Sequence, residues 1–115
     1  MKLFALVAAF ALSSIVFGAA PAESMADRSL KRIVERQKEI FADAAKQGDK
    51  LDESALRTQL QTLIHEYELL LRENPKFAVG YAAYGYLLSK VDMRKEAAAV
   101  MLRANQIDPN IALVK

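Results

Sequence analysis

The chain has no cysteine, no tryptophan and a single histidine in its 115 residues. Without cysteine there is no disulfide framework, no thiolate zinc site, no Cys nucleophile and no lipidated Cys anchor. One histidine, His65, rules out a multi-His metal centre. Excess charge is scarce too: the formal net charge is +2, too small for the electrostatic footprint of a nucleic-acid binder. What is present is 53% hydrophobic and 26% charged. That balance suits a helical globular segment and is too apolar for a disordered tail. The length supports one small domain at most.

Residues 1–22 differ sharply from the rest. Met1-Lys2 gives a short positive start, Leu3 to Phe17 runs without a charge, and small residues follow up to Ala20-Pro21-Ala22. A charged start, an apolar stretch and an A-x-A site are the three parts of a secretory signal peptide, with cleavage expected after Ala22. The apolar run is shorter than the roughly 20 residues a spanning helix needs. The expected location is therefore secreted, or periplasmic in a Gram-negative bacterium, with no membrane attachment after cleavage. Lys2 is the only charged residue before Glu23, so the remaining chain carries a formal charge of +1 with both signs interspersed.

Beyond Ala22 the apolar residues recur at spacings of three and four, the period of a helix face. The first stripe is Leu30, Ile33, Val34, Ile40, Phe41 and Ala44, with Ser24 or Asp27 placed to cap its start and Gly48 just past its end. The second is Leu56, Leu60, Leu63, Ile64, Tyr67, Leu70 and Leu71. Asp52 is its cap, Leu51 can staple onto Leu56, and Asn74-Pro75 ends it. A third helix is expected over Lys76–Lys90 and a fourth over Arg94–Ile107. Val91-Asp92-Met93 forms the turn between them, with Asp92 in capping position, and Asp108-Pro109-Asn110 stops the last helix. The expected fold is all-α: four helices in antiparallel hairpins joined by short turns.

Pro75 and Pro109 stand 34 residues apart, each just after an amphipathic helix. Around the second of them, Gly85, Ala97, Ala104 and Pro109 occupy positions where residues 78–111 resemble one tetratricopeptide repeat, a helix pair of the same period. Tyr81 stands where that family usually has Trp. Tyr84, Leu88 and Met101 hold apolar substitutes at its other signature positions. The resemblance implies a short right-handed solenoid of stacked hairpins. Small residues at Gly85 and Ala97 would let two crossing helices approach closely. Tyr81, Tyr84, Leu88, Met101 and Ile107 would fill the core around them.

The same frame fits residues 23–74 less well. Tyr67 and Pro75 agree with it, but Leu51 falls where Gly is expected, and Gly48-Asp49 lies too far before Pro75 for a standard repeat turn. This segment is expected to be a divergent hairpin capping the array, since terminal repeats are atypical. After the repeat that spans residues 75–111, residues 112–115 are expected to begin a further helix that the chain does not complete. The fourth helix would then expose apolar surface, as in a fragment of a longer array or in a face that pairs with another copy.

Candidate chemistry is thin. His65 has no Cys or second His to work with and is expected to be a partly exposed helix residue. Glu66 and Glu68 point to different sides of their helix and are expected in solvent. Asp49, Asp52 and Glu53 lack the ligand spacing of a calcium loop and suit capping instead. No glycine pattern makes a phosphate loop. Lys31, Arg32, Arg36 and Lys38 interleave with Glu35 and Glu39 as i,i+4 pairs on a solvated face. No enzyme, cofactor or metal is expected.

In the family that residues 78–111 resemble, the first helix of each repeat lines a concave groove that takes extended peptides. That resemblance implies Val79, Ala82, Tyr86 and Ser89 as groove positions. With Ala82 and Tyr86 there, the Lys, Arg and Asn clamp that some members use for a terminal carboxylate is absent. An apolar, aromatic groove favours the apolar side chains of a peptide or helix. The expected function is an exported, non-enzymatic scaffold for a protein or peptide partner, with no nucleic acid involved. The alternatives are self-assembly through the fourth helix, near Val100, Ile107 and Leu113, or the N-terminal part of a longer repeat protein.

Overall fold

The structure, a computed structural model, describes residues 23–111; the signal peptide expected over residues 1–22 and the further helix expected from residue 112 lie outside the described residues. The described residues form four α-helices and one short 3-10 turn, with no strand among them. α1 runs Met25–Gln47, α2 Glu53–Glu73, α3 Ala78–Lys90 and α4 Arg94–Ile107. Each helix packs on the next, α1 on α2, α2 on α3 and α3 on α4.

Local chemistry sets most of the ends. Ser24 caps α1 in a reciprocal capping box: its Oγ accepts from Asp27 N at 3.0 Å, and its own N–H donates to Asp27 Oδ2 at 3.1 Å. Gly48 closes α1 at φ 51, backbone that residues with a Cβ rarely adopt. The turn that follows is the 3-10 segment Gly48–Lys50. Asp52 Oδ1 accepts from Ala55 N at 3.1 Å and so caps α2. Leu51 and Leu56 flank that cap and share a recess with Ile40. Asn74 ends α2 outside helical geometry, as the residue before Pro75 must, and its side-chain Nδ2 donates to the Leu70 carbonyl at 2.9 Å.

Two boundaries differ from expectation. α3 begins at Ala78 rather than Lys76, because Pro75 and Lys76 are spent on a turn in which Phe77 N donates to Asn74 O at 3.1 Å. Asp92 does not cap α4; the N-cap is Met93, with no side-chain hydrogen bond. Asp92 instead adopts φ 66 and closes the end of α3. Its N–H donates to Ser89 O at 3.1 Å while Met93 N donates to Leu88 O at 2.8 Å. This is a Schellman closure with aspartate at the position where glycine is usual. The Asp92 carboxylate is turned to Arg94 Nε at 3.0 Å.

The core joins all four helices. Ile33 and Ile40 from α1 meet Leu63, Tyr67, Leu70 and Leu71 from α2, Tyr84, Leu87 and Leu88 from α3, and Ala97 from α4. Leu63, Leu87 and Leu88 are fully enclosed, and each such side chain contributes about 2 kcal/mol relative to exposure. α3 and α4 approach closely at Gly85, where a Cβ would lie 2.5 Å from Met101 Cγ and 3.1 Å from Val100 Cγ2. Only glycine admits that approach without displacing Met101.

Candidate functional site

α3 is apolar nearly all round, with the sequence AVGYAAYGYLLSK. Most of it is enclosed: Ala78, Gly80, Ala82, Tyr84, Gly85, Leu87 and Leu88 are all buried. One stripe is left open. Val79 is 48% exposed and Tyr86 54% exposed, seven positions apart and therefore nearly in line along the helix. Ala83 and Lys90 fall on the same line at the intervening and following turns.

Lys90 ties this stripe to α1. Its Nζ lies 4.8 Å from the centroid of the Phe41 ring and 5.7 Å from that of Tyr86. A cation over two ring faces is attracted to both and is held in place. The open face of α3 thus has an apolar floor with a fixed positive charge at its C-terminal end.

The expected groove set is only partly brought together. Val79 and Tyr86 share the open stripe; Ser89 is exposed but lies about 80° round the helix from Val79, off that line. Ala82 is not a groove residue: it is 0% exposed. Three positions on from Val79 it is rotated by about 60° off the stripe, toward the enclosed side of the helix. Its methyl is too short to reach back.

Of the residues expected in the repeat core, Tyr84, Gly85, Leu88, Ala97 and Ala104 are buried, and Tyr81 and Met101 are half-buried. Pro109 is not in the core; it is exposed, in the turn after α4. Its missing N–H and fixed φ bar it from continuing the helix, which requires no burial. The Arg103 guanidinium lies 5.9 Å from the centroid of the Tyr81 ring.

The charged face of α1 departs from simple i,i+4 pairing. Arg36 Nη1 donates across to Glu66 on α2, 2.6 Å from Oε1 and 2.5 Å from Oε2. Lys31 pairs with Glu23 at 2.7 Å, and Lys38 reaches Glu35 loosely at 3.7 Å. Arg36 takes Glu66 because it lies on the edge of α1 nearest α2, alongside Ser29 and Ile33. A cleft of about 190 Å³ opens beside this pair, lined also by Arg32, Leu69 and Glu73. Glu66 is therefore not free in solvent, and Glu68 accepts from the Tyr84 hydroxyl at 3.3 Å.

One buried polar contact escaped the sequence. The Tyr67 hydroxyl donates to Gln37 Oε1 at 2.7 Å inside the core. The signal was present: Gln37 interrupts the apolar stripe at the spacing of Ile33 and Ile40, and a polar residue there needs a buried partner. Tyr67 stacks on Tyr84 with centroids 5.2 Å apart and planes 18° apart. Burial pushes the hydroxyl pKa of Tyr67 up to about 12, and burial with the neighbouring Glu68 carboxylate does the same for Tyr84.

His65 is exposed. Among the described residues, no group of three or more His, Cys, Asp or Glu is placed to hold a metal ion. No helix among them is long and apolar enough to cross a membrane. Comparison of the chain with family models, with characterised proteins and with solved structures finds no match.

Proposed function

We propose that the chain is an exported, non-enzymatic helical scaffold that holds a protein segment on the open face of α3. In this reading α3 and α4 form a tetratricopeptide-type repeat, with α1 and α2 as a divergent hairpin stacked against it in a short right-handed solenoid. The close approach at Gly85 and the enclosed Ala97 and Ala104 support the repeat. The single observation that carries the function is the half-exposure of Val79 and Tyr86 on a helix otherwise buried almost all round. Val79 and Tyr86 keep about half of their surface in water, and Tyr86 does so beside a held cation. They suit a partner whose apolar side chains cover them.

The test is the double variant Val79→Asp and Tyr86→Asp in the full chain, with circular dichroism to confirm that the helices persist. A protein retained by the wild type, lost by the variant and binding directly as a purified pair supports the reading. Equal retention by both contradicts it.

A second reading rests on α4. Leu102 is 56% exposed, with Ala98 and Ala99 exposed beside it. Small residues around one large one favour close stacking of a second copy. Light scattering on wild type and Leu102→Glu distinguishes it: a dimer that the substitution dissociates would place self-assembly ahead of partner capture.

A further inference from the structure

Resting on that reading of α3, we infer that the segment it takes is acidic, with an apolar side chain on Val79 and Tyr86 and carboxylates answered by Lys90, beside Phe41 and Tyr86, and by Lys38, one turn before Phe41 on α1. α3 contains no Asp or Glu, and Lys90 is its one charge. Four side-chain ion pairs join described residues, and none includes Lys90. Its ammonium is instead placed over the Phe41 and Tyr86 rings. The N–H donors of the ammonium that do not face the rings remain available to an acceptor.

On α1, Val34, Lys38 and Phe41 follow one another at spacings of four and three and so share one face. Among the described residues Lys38 makes one ion pair, with Glu35 at 3.7 Å, and both side chains are about 70% exposed. So loose a pair is readily exchanged for an incoming carboxylate. The stripe of Val79 and Tyr86 therefore ends at Lys90, with Lys38 on the same face of α1 as Phe41 and no negative charge on α3 to balance them. A basic segment would set like charges together, and a purely apolar one would leave both lysines unanswered. Charge complementarity selects the acidic segment.

The probes are three labelled peptides with identical leucine positions and Glu, Gln or Lys between the leucines, titrated onto the full chain by fluorescence anisotropy at low salt. The Glu peptide is expected to bind about tenfold more tightly than the Gln peptide, and the Lys peptide most weakly. Lys90→Glu reverses the order of Glu and Lys peptides. Val79→Asp with Tyr86→Asp abolishes all binding; if that variant loses helix, Tyr86→Ser replaces it. Equal affinity for the three peptides, lost in the double variant, would overturn the acidic preference and leave the α3 face standing. No binding by any peptide, or binding that the double variant leaves intact, would overturn both. Co-sedimentation with phosphatidylglycerol vesicles that Lys90→Glu abolishes would assign the patch to a lipid surface and overturn the inference as well.

Discussion

The Tyr67 hydroxyl and the Gln37 side-chain carbonyl meet at 2.7 Å in the interior, thirty positions apart in the chain. Each is there only because the other is. A buried amide carbonyl without a donor costs about 1–3 kcal/mol, and Tyr67 supplies that donor while its ring stacks on Tyr84. Tyr67→Phe is therefore expected to lower unfolding stability by about 1–2 kcal/mol in urea titration. Gln37→Leu combined with Tyr67→Phe should recover part of that loss, because no polar atom is then left unpaired. A double variant as unstable as the sum of the two singles would show that the bond does not couple α1 to α2.

The same tyrosines predict how stability depends on pH. Tyr67 and Tyr84 have hydroxyl pKa values of about 12 in the fold against an ordinary value of 10.0, chiefly because burial disfavours the phenolate. The unfolded chain thus releases these protons first. Their contribution to stability is full below pH 10 and is lost as the pH rises toward 12. Urea midpoints should stay level with respect to these groups through neutral pH and fall above pH 10. The Tyr67→Phe, Tyr84→Phe double variant should show a shallower fall.

Gly85 sets the spacing of α3 and α4. An added Cβ would meet Met101 Cγ at 2.5 Å, so Gly85→Ala should cost about 1–3 kcal/mol despite alanine's better helix propensity. Shortening the opposing side chain makes room. The pair Gly85→Ala, Met101→Ala should therefore be less unstable than the two single changes added together, as read by thermal melts monitored by circular dichroism.

Asp92 carries a conformational cost that glycine would not. It holds φ 66 while completing the closure of α3, and the left-handed region costs an ordinary residue about 1–2 kcal/mol. Asp92→Gly is expected to raise stability by about 1 kcal/mol, less whatever the exposed contact with Arg94 contributes. A loss of stability in the melt would mean that the carboxylate matters more than the backbone.

Ser24, Asp52 and Asn74 were legible in the sequence as helix ends because capping is local: donor and acceptor lie within four residues of each other. The bounds of α4 were legible from the turn residues on either side of it, and the small residue at Gly85 from the repeat resemblance. Asp92 misleads because aspartate suits an N-cap as well as a left-handed turn, and only the contacts of Ser89 and Leu88 decide between them. Arg36 with Glu66, like Gln37 with Tyr67, joins residues thirty apart, and no local pattern specifies such a pairing. At the candidate site, Val79 and Tyr86 were legible from the repeat resemblance. Ala82 was placed wrongly because it is 60° off their line, and the role of Lys90 emerges only when Phe41 of α1 is brought beside it.

The central claim is that the open face of α3 meets another protein. Site-specific photo-crosslinking tests it most directly, with a photoreactive phenylalanine analogue at position 86 and, in parallel, at position 102 of the full chain in cells. A discrete adduct with a foreign protein is expected from position 86, suppressed by Val79→Asp, and none from position 102. No adduct at 86, or a crosslinked pair of this chain formed through 102 alone, would contradict it.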